Sequence, residues 1–409
     1  MRNQHKTLPL NLQSLCKYRF AICFCTAPET EDAYGTWEWL VAASNAEESE
    51  ITNQLELENA PKPVFGGFQY DWKNEIETEL KELHLTEQPF IKFFKPEWWI
   101  GKPKNSTDCV SEGNIPEELF HFEEAIYHRN PILFQSNFSK EEYLAAIQKI
   151  QAYISEGDCY EVNFAQEWTA HVAELQPAAL FKRLLQQSPV PMSVFWKWKD
   201  EYYLCISPER FLQLNQNQTL ISQPIKGTAK RPADPAAEES VINELAHDLK
   251  IKAENVMIVD LVRNDLYKSC IRHSVQVPKL FEIQRFANLF HVVSTVTGQK
   301  KADISSLEAI KNAFPAGSMT GAPKFRVMER ISETERTARG MYAGSIGYLF
   351  QETFDFNVVI RTLVWNSQTK ILRYYSGGAI TSDSDPLQEY DETMLKARFI
   401  QQVLETEDE

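Results

Sequence analysis

Short apolar runs broken by turn residues fill roughly the first 125 positions, which predicts strands and loops there. The runs at 18–25, 36–43 and 65–72 are rich in aromatics, and the last carries a turn at Gly66 and Gly67. An acidic stretch at 73–85 reads as a helix, and the polar segment 105–116, with Gly113 and Pro116, as a surface connection. At Ser139 the pattern changes. Ser139 and Glu142 have the spacing of a capping box, and the helix they open sets Tyr143, Ala146, Ile147, Ile150 and Ile154 on one face. Gly157 and Asp158 then turn the chain into an apolar strand at 159–165.

Alternation at 202–206 and 212–220 predicts antiparallel strands. The longest helical pattern spans 235–262, where Ile242, Leu245, Leu249, Ala253 and Val256 recur at helical spacing. Strands follow at 344–350, 357–365 and 371–376, and a helix at 386–404 comes last. There is no internal repeat. Strands in hairpins and helices in separate blocks predict an α+β protein rather than a βαβ one.

Composition narrows the class. With 409 residues, 43% hydrophobic and 24% charged, the chain has the make-up of a soluble globular protein with a sizeable core. A formal net charge of −15 argues against a nucleic-acid partner, because phosphate binding needs concentrated Lys and Arg. Seven scattered cysteines with no CxxC pair suggest neither a zinc site nor a thioredoxin-like one. The apolar stretch near the start, 20–25, is too short for a membrane span, and residues 1–17 lack the layout of a secretion signal. The expectation is a cytoplasmic protein with no membrane partner.

Candidate chemistry is spread along the second half. Lys226 lies between Pro224 and Thr228 beside Gly227; alone, the stretch reads as a strand ending in a glycine turn with a solvated lysine. As a nucleophile, Lys226 must lose its proton, which takes burial or a neighbouring cation, and Gly227 allows a substrate close to the backbone. Glu389 and Glu392 share a helix face, with Lys396 one turn on, and Glu254 lies in the long helix. Such carboxylates either form a solvated acidic face or hold a hard cation such as Mg²⁺. The glycine-bearing stretch 314–324 and the pair Gly377–Gly378 offer backbone amides to an anion. No dinucleotide fingerprint, no P-loop and no Gly-flanked cysteine nucleophile is present.

In order along the chain stand Ser207-Pro-Glu-Arg-Phe211, Pro224-Ile-Lys-Gly-Thr228, the run 253–266 (AENVMIVDLVRNDL), Gly317-Ser-Met-Thr-Gly-Ala-Pro-Lys324, Gly344-Ser-Ile-Gly-Tyr348, Ile360-Arg-Thr362, and Ser382-Asp-Ser-Asp-Pro386 with Glu389 and Glu392. Together they closely resemble the chorismate-utilising enzymes from about residue 140 to 405. The first part is only loosely similar, through 66–71. The resemblance implies an N-terminal region at 1–130 of the anthranilate synthase component I type and a chorismate-binding catalytic region at 139–405. The implied fold is two antiparallel sheets packed as a sandwich, with helices outside and the site in a cleft.

Anthranilate-forming members usually read P-I-A-G-T where this chain has Lys226, and C4-aminating members read P-I-K-G-T, as here. The resemblance therefore implies that Lys226 attacks C2 of chorismate while Glu209 protonates the departing C4 hydroxyl. Ammonia then attacks C4 and expels the lysine, giving 4-amino-4-deoxychorismate for p-aminobenzoate and folate. It further implies Mg²⁺ on Glu254 and Glu392 with Glu389 nearby. Tyr348, Arg361 and Lys396 are implied at the pyruvyl carboxylate, and Gly377 and Gly378 at the ring carboxylate. Thr228, Thr320 and His291 would line the pocket, with His291 as an acid or hydrogen-bond donor. Ammonia is expected from a separate glutamine amidotransferase subunit.

Three departures stand out. Ile251 replaces an acid often found one turn before Glu254; Ala316 replaces a glycine; Glu161 stands where isochorismate-forming members carry a general-base lysine and many amine-using members a glutamine. The alternatives are an anthranilate synthase, opposed by Lys226, an isochorismate synthase, opposed by Glu161, and a chorismate-binding scaffold without turnover, to which Ile251 gives the only footing. No motif for tryptophan binding stands out near the start.

Overall fold

The strand Phe20–Cys25 is apolar throughout because both of its faces are covered. Side chains alternate along a strand, so Phe20 and Ile22 enter one apolar layer with Leu40, Trp196, Phe65 and Phe94. Ala21, Cys23 and Cys25 enter another, with Leu180, Phe181 and Leu184 of the helix Pro177–Gln187 and Ile400 and Leu404 of the helix Pro386–Glu405. This computed structural model describes residues 8–405 apart from 28–29, 31, 81–82, 85–87, 122–131 and 233.

Two antiparallel sheets carry the fold. Among the described residues the first has 11 strands and the second 10. In the first, Glu161–His171 pairs with Ile371–Ile380, and the ladder continues through Thr362–Asn366, Glu201–Ser207, Met192–Trp198, Phe20–Cys25 and Trp37–Ser44. The second runs from Ile225–Lys230 through Leu289–Gln299, Thr219–Gln223, Arg210–Leu214, Phe354–Asn357 and Ser345–Leu349 to Val64–Phe68. The layer around Phe20, Trp196, Phe65 and Ile346 draws from both sheets and lies between them. Outside the second sheet, Ile258, Val262 and Leu266 of the helix Leu249–Ser269 pack with Leu307 and Ile310 of Ser306–Ala313. The helices Lys140–Ser155 and Lys324–Thr334 bury Tyr143, Ile147, Val327 and Ile331 against Val162 and Phe164. The α+β sandwich is thus the one the sequence predicts. In each sheet the strands from before residue 113 form one end and later strands continue from them, so the two sequence regions share their layers.

The capping box is present, with both the Ser139 and Glu142 side chains engaged. Three elements differ from the expected pattern. The helix expected at 235–262 is two, Pro235–His247 and Leu249–Ser269, because Asp248 takes extended dihedrals and its side chain accepts from the Ile251 amide, capping a new helix. The strand expected at 357–365 splits into Phe354–Asn357 and Thr362–Asn366, with Arg361 between them at φ 50°. Of the helix expected at 73–85, the structure has Lys73–Ile76, while residues 81, 82 and 85 lie outside the described ones. All seven cysteines are free, and no helix among the described residues is long and apolar enough to cross a membrane.

Candidate active site

Lys226 sits at the edge of the second sheet, and Gly227 after it has φ 93°. A Cβ at Gly227 would fall 2.7 Å from Cγ2 of Ile251, so both the backbone conformation and the room favour glycine. Ile251, the residue in place of an acid, packs on this turn. One turn along the same helix, Asn255 donates from Nδ2 to the Lys226 carbonyl at 2.9 Å, which anchors the base of the lysine. The Lys226 ammonium donates to Oε1 of Glu161 at 2.6 Å across the gap between the sheets. Glu161 opens its strand, and the strand Gly321–Ala322 lies so close that a Cβ at Gly321 would fall 2.0 Å from the Glu161 carbonyl oxygen. Both partners are buried. Burial alone pushes the lysine toward its neutral form, but Glu161, reinforced by Glu254 and Glu209, outweighs it and holds the pKa above the usual lysine value.

Glu209 lies where the chain passes from the strand Glu201–Ser207 of one sheet to Arg210–Leu214 of the other. It is buried, and Ser318 on the single turn Gly317–Met319 donates to its Oε1 at 2.5 Å. Burial pushes its carboxyl up to about 7, against the opposing pull of Ser318, Lys226 and Arg361. A basic amine and a weakly acidic carboxyl thus share one field, with pKa values set apart by environment.

Arg361 is an electrostatic neighbour of Glu209, of Tyr374 and of His291; burial lowers its guanidinium pKa, though it stays a cation. Thr228 and His291 share a hydrogen bond of 2.8 Å between Oγ1 and Nδ1. Burial, helped by Arg361, drives the His291 pKa well down, and Nε2 has no hydrogen-bond partner among the described residues. Burial thus favours the neutral ring at His291, which suits the hydrogen-bonding role better than that of an imidazolium acid. Thr320 is fully buried; its carbonyl accepts from the Asn163 amide at 2.7 Å, joining the 317–322 segment to the strand that carries Glu161.

The expected metal carboxylates lie on two helices. Glu254 is raised by burial and by its neighbours Glu161 and Glu389, and Glu389 is raised by burial and by Glu392. Ser384 donates to Glu389 Oε1 at 2.8 Å, and Lys396 donates to Glu392 at 2.8 Å and to the Gly377 carbonyl at 2.7 Å. Among the described residues no three His, Cys, Asp or Glu side chains converge into a closed metal cage. The set nevertheless fits a hard dication completed by further oxygen ligands. Its donors are carboxylates, and the burial of Glu254 and Glu389, with the Glu161 and Glu392 charges adding to it, disfavours their charged forms in a way such an ion would offset. Gly378 faces this group, since a Cβ there would fall 3.2 Å from Glu389 Oε2.

Tyr348 is not in this assembly. Strand alternation puts it with Ile346 in the layer between the sheets, edge-on to Phe24, and in a separate cavity with Asp32, Arg210 and Asp355. Arg210 pairs there with Asp32 at 2.8 Å and Asp355 at 2.9 Å. The tyrosine beside Arg361 is Tyr374, on the long strand Ile371–Ile380. Tyr374, Ser318 and Asn255 have no place in the sequence expectation. Ser318 lies inside the quoted glycine-bearing run and Asn255 next to Glu254, but nothing local marks either as a partner of Glu209 or Lys226.

Residues 20–402 match the family model described as chorismate binding enzyme. The aminodeoxychorismate synthase component 1 of Klebsiella aerogenes is 42% identical over 275 residues, which are 67% of this chain and 60% of that protein. A probable chloroplastic aminodeoxychorismate synthase of Oryza sativa subsp. japonica is 40% identical over 270 residues, 65% of this chain and 30% of that protein. The aligned part thus spans less than two thirds of either relative. Among solved structures, anthranilate synthase component I from Streptococcus pneumoniae TIGR4 superposes with a TM-score of 0.74 at 22% identity, covering 98% of this chain and 95% of that one.

Proposed function

The chain belongs to the chorismate-binding enzyme family, and on that premise we propose that it aminates chorismate at C4 to give 4-amino-4-deoxychorismate, the work named in its aminodeoxychorismate synthase relatives. The product would serve p-aminobenzoate and folate synthesis. The observation that carries this reading is Lys226, a buried amine in the same field as a carboxyl with a pKa of about 7.

In the proposed mechanism Lys226 attacks C2 of the ring. Glu209, whose carboxyl is raised to about 7 and so is still partly protonated at neutral pH, gives its proton to the C4 hydroxyl, which leaves as water. Ammonia then bonds to C4 and Lys226 departs from C2. Two successive substitutions with lysine as a temporary substituent put the nitrogen at C4; a neutral residue at 226 would leave ammonia to attack C2. Arg361 offers a fixed fork of donors to the pyruvyl carboxylate, with Tyr374 beside it and the neutral His291 ring and Thr228 along the wall. Lys396 holds the Gly377 carbonyl and so the strand whose Gly377 and Gly378 amides are proposed to meet the ring carboxylate. Glu254 and Glu392, with Glu389 near, would hold Mg²⁺, which when bound neutralises the ring carboxylate and helps polarise the ring. Ammonia is proposed to come from a separate glutamine amidotransferase subunit, and the compartment to be the cytoplasm.

The test is mass analysis of the product made from chorismate, Mg²⁺ and an ammonium salt by the wild type and by Lys226→Ala. Wild type is expected to give aminodeoxychorismate and the variant to lose it. Anthranilate or isochorismate from wild type would place the chain in another branch of the family, and absence of turnover even with an amidotransferase added would favour a binding scaffold.

A further inference from the structure

A nucleophilic lysine must shed a proton before it can attack, and the mechanism above leaves that proton unassigned. The resting structure makes the need acute, because Lys226 is held as an ammonium. Three carboxylates from three elements face it: Glu161 from the strand Glu161–His171, Glu254 from the helix Leu249–Ser269, and Glu209 from the crossing between the sheets. Glu209 is excluded as acceptor, since it must begin protonated to release the C4 hydroxyl, and its Oε1 is taken by Ser318. Glu254 acts on Lys226 only through its field, with no hydrogen bond between them.

Glu161 touches the amine directly, at 2.6 Å. Its side chain is fully buried, Oε1 is on Lys226, and Oε2 has no hydrogen-bond partner among the described residues. A carboxylate bound for structure alone in such a place is normally given hydrogen bonds on both oxygens. One left half-solvated by a single ammonium is poised to accept that ammonium's proton, because the resulting neutral pair needs less solvation than the ion pair.

We propose that Glu161 is the general base of the first substitution: it takes the proton from Lys226 as Nζ attacks C2, and returns it when the lysine is expelled. This rests on the proposed amination. One proton passes from Nζ to Oε1, the freed lone pair forms the N–C2 bond, the ring electrons shift, and the C4–O bond breaks with the Glu209 proton to release water. When ammonia bonds to C4, the electron pair of the C2–N bond returns to Lys226, which recovers its proton from Glu161. Glu209 recovers one from the new C4 ammonium. The sum is chorismate plus ammonia to aminodeoxychorismate plus water. Lys226 and Glu161 exchange one proton between themselves, so this step needs no proton from bulk water.

The experiment uses the full chain with Mg²⁺ and chorismate. Formation of the Lys226 adduct (chorismate less water) is followed by intact mass without ammonia, and turnover is followed at constant free ammonia across pH. Glu161→Gln is expected to slow both by about 10²-fold near neutral pH, with the chorismate KM little changed. The ratio of its rate to that of wild type should climb as pH rises above about 7, because the variant's lysine must now lose its proton to solvent, while loss of the Glu209 proton slows both enzymes alike. Glu161→Asp keeps a carboxylate and is expected to lose rate while retaining the wild-type pH profile, which decides the matter should the amide variant fail to fold.

A Glu161→Gln enzyme with the rate and pH profile of wild type would overturn the base. So would equal slowing of both variants at every pH, the mark of a strut between the sheets. A wild type that forms neither adduct nor aminodeoxychorismate at any pH overturns the amination reading and the base together, and is told apart because the failure then lies in wild type itself.

Discussion

Lys226 and Glu209 illustrate how burial acts with opposite sign on two groups in one site. For the lysine, burial is overruled by the partner carboxylate; for Glu209, it prevails and the carboxyl stays protonated to about pH 7. Because the acid form is the competent one, the first substitution is expected to slow as pH rises through about 7, and Glu209→Gln to lose about 10²- to 10⁴-fold at pH 7. A pH series of adduct formation checks both. The same shift links to folding: a carboxyl raised in the folded state stabilises fully below its unfolded pKa, and that contribution disappears as pH rises through about 7. Glu209→Gln should therefore flatten the pH dependence of the melting temperature between about pH 4.5 and 7. At this scale the sequence named Lys226, Glu209, Arg361 and Glu254, but not their partners. Ser318 lies 109 positions from Glu209, and Glu161 lies 65 from Lys226. No local pattern encodes such distances.

Among the elements, helix existence was legible from apolar spacing and helix boundaries from capping chemistry, where that chemistry was recognised. Ser139 and Glu142 predicted the start of Lys140–Ser155. Asp248 does the same inside an unbroken apolar pattern, and the periodicity that runs through it hid the break between the two helices. Its cap matters for the site, because the helix it opens carries Ile251, Glu254 and Asn255. Asp248→Ala is expected to cost about 1 kcal/mol of stability, read from chemical denaturation. It should also raise exchange of the first-turn amides ahead of the rest of the helix. The strand break around Arg361 is a similar case. The residues read as one continuous strand, yet Arg361 at φ 50° turns its side chain out of the alternation and toward Glu209 and Tyr374.

Across the whole molecule, the site depends on two sheets being held face to face, since Lys226 and Glu161 belong to different ones. The layer between them is aromatic: Trp196 is fully buried and stacks on Tyr203 with ring centroids 4.6 Å apart. Trp196→Ala is expected to destabilise by about 3 to 5 kcal/mol, measured by denaturant midpoint, and to impair turnover before the chain unfolds. Removal of Mg²⁺ by a chelator should instead abolish turnover and leave the melting temperature nearly unchanged, because none of the carboxylates proposed to hold it belongs to the apolar layers that carry the fold; restoring Mg²⁺ should restore activity.

The sequence by itself determined the α+β class, most of the strands and helices, the apolar faces that build the layers, and an ordered set of motifs that carries the family. These are local properties: period, capping and short runs of residues are written along the chain. The tertiary structure alone decided which motifs meet. It set Tyr374 rather than Tyr348 beside Arg361, because strand alternation sends Tyr348 between the sheets, and it left His291 neutral by burying it. It also brought Glu161 to Lys226. Burial and charge proximity are properties of three-dimensional packing, and those two quantities determine whether a lysine is an ammonium or a nucleophile.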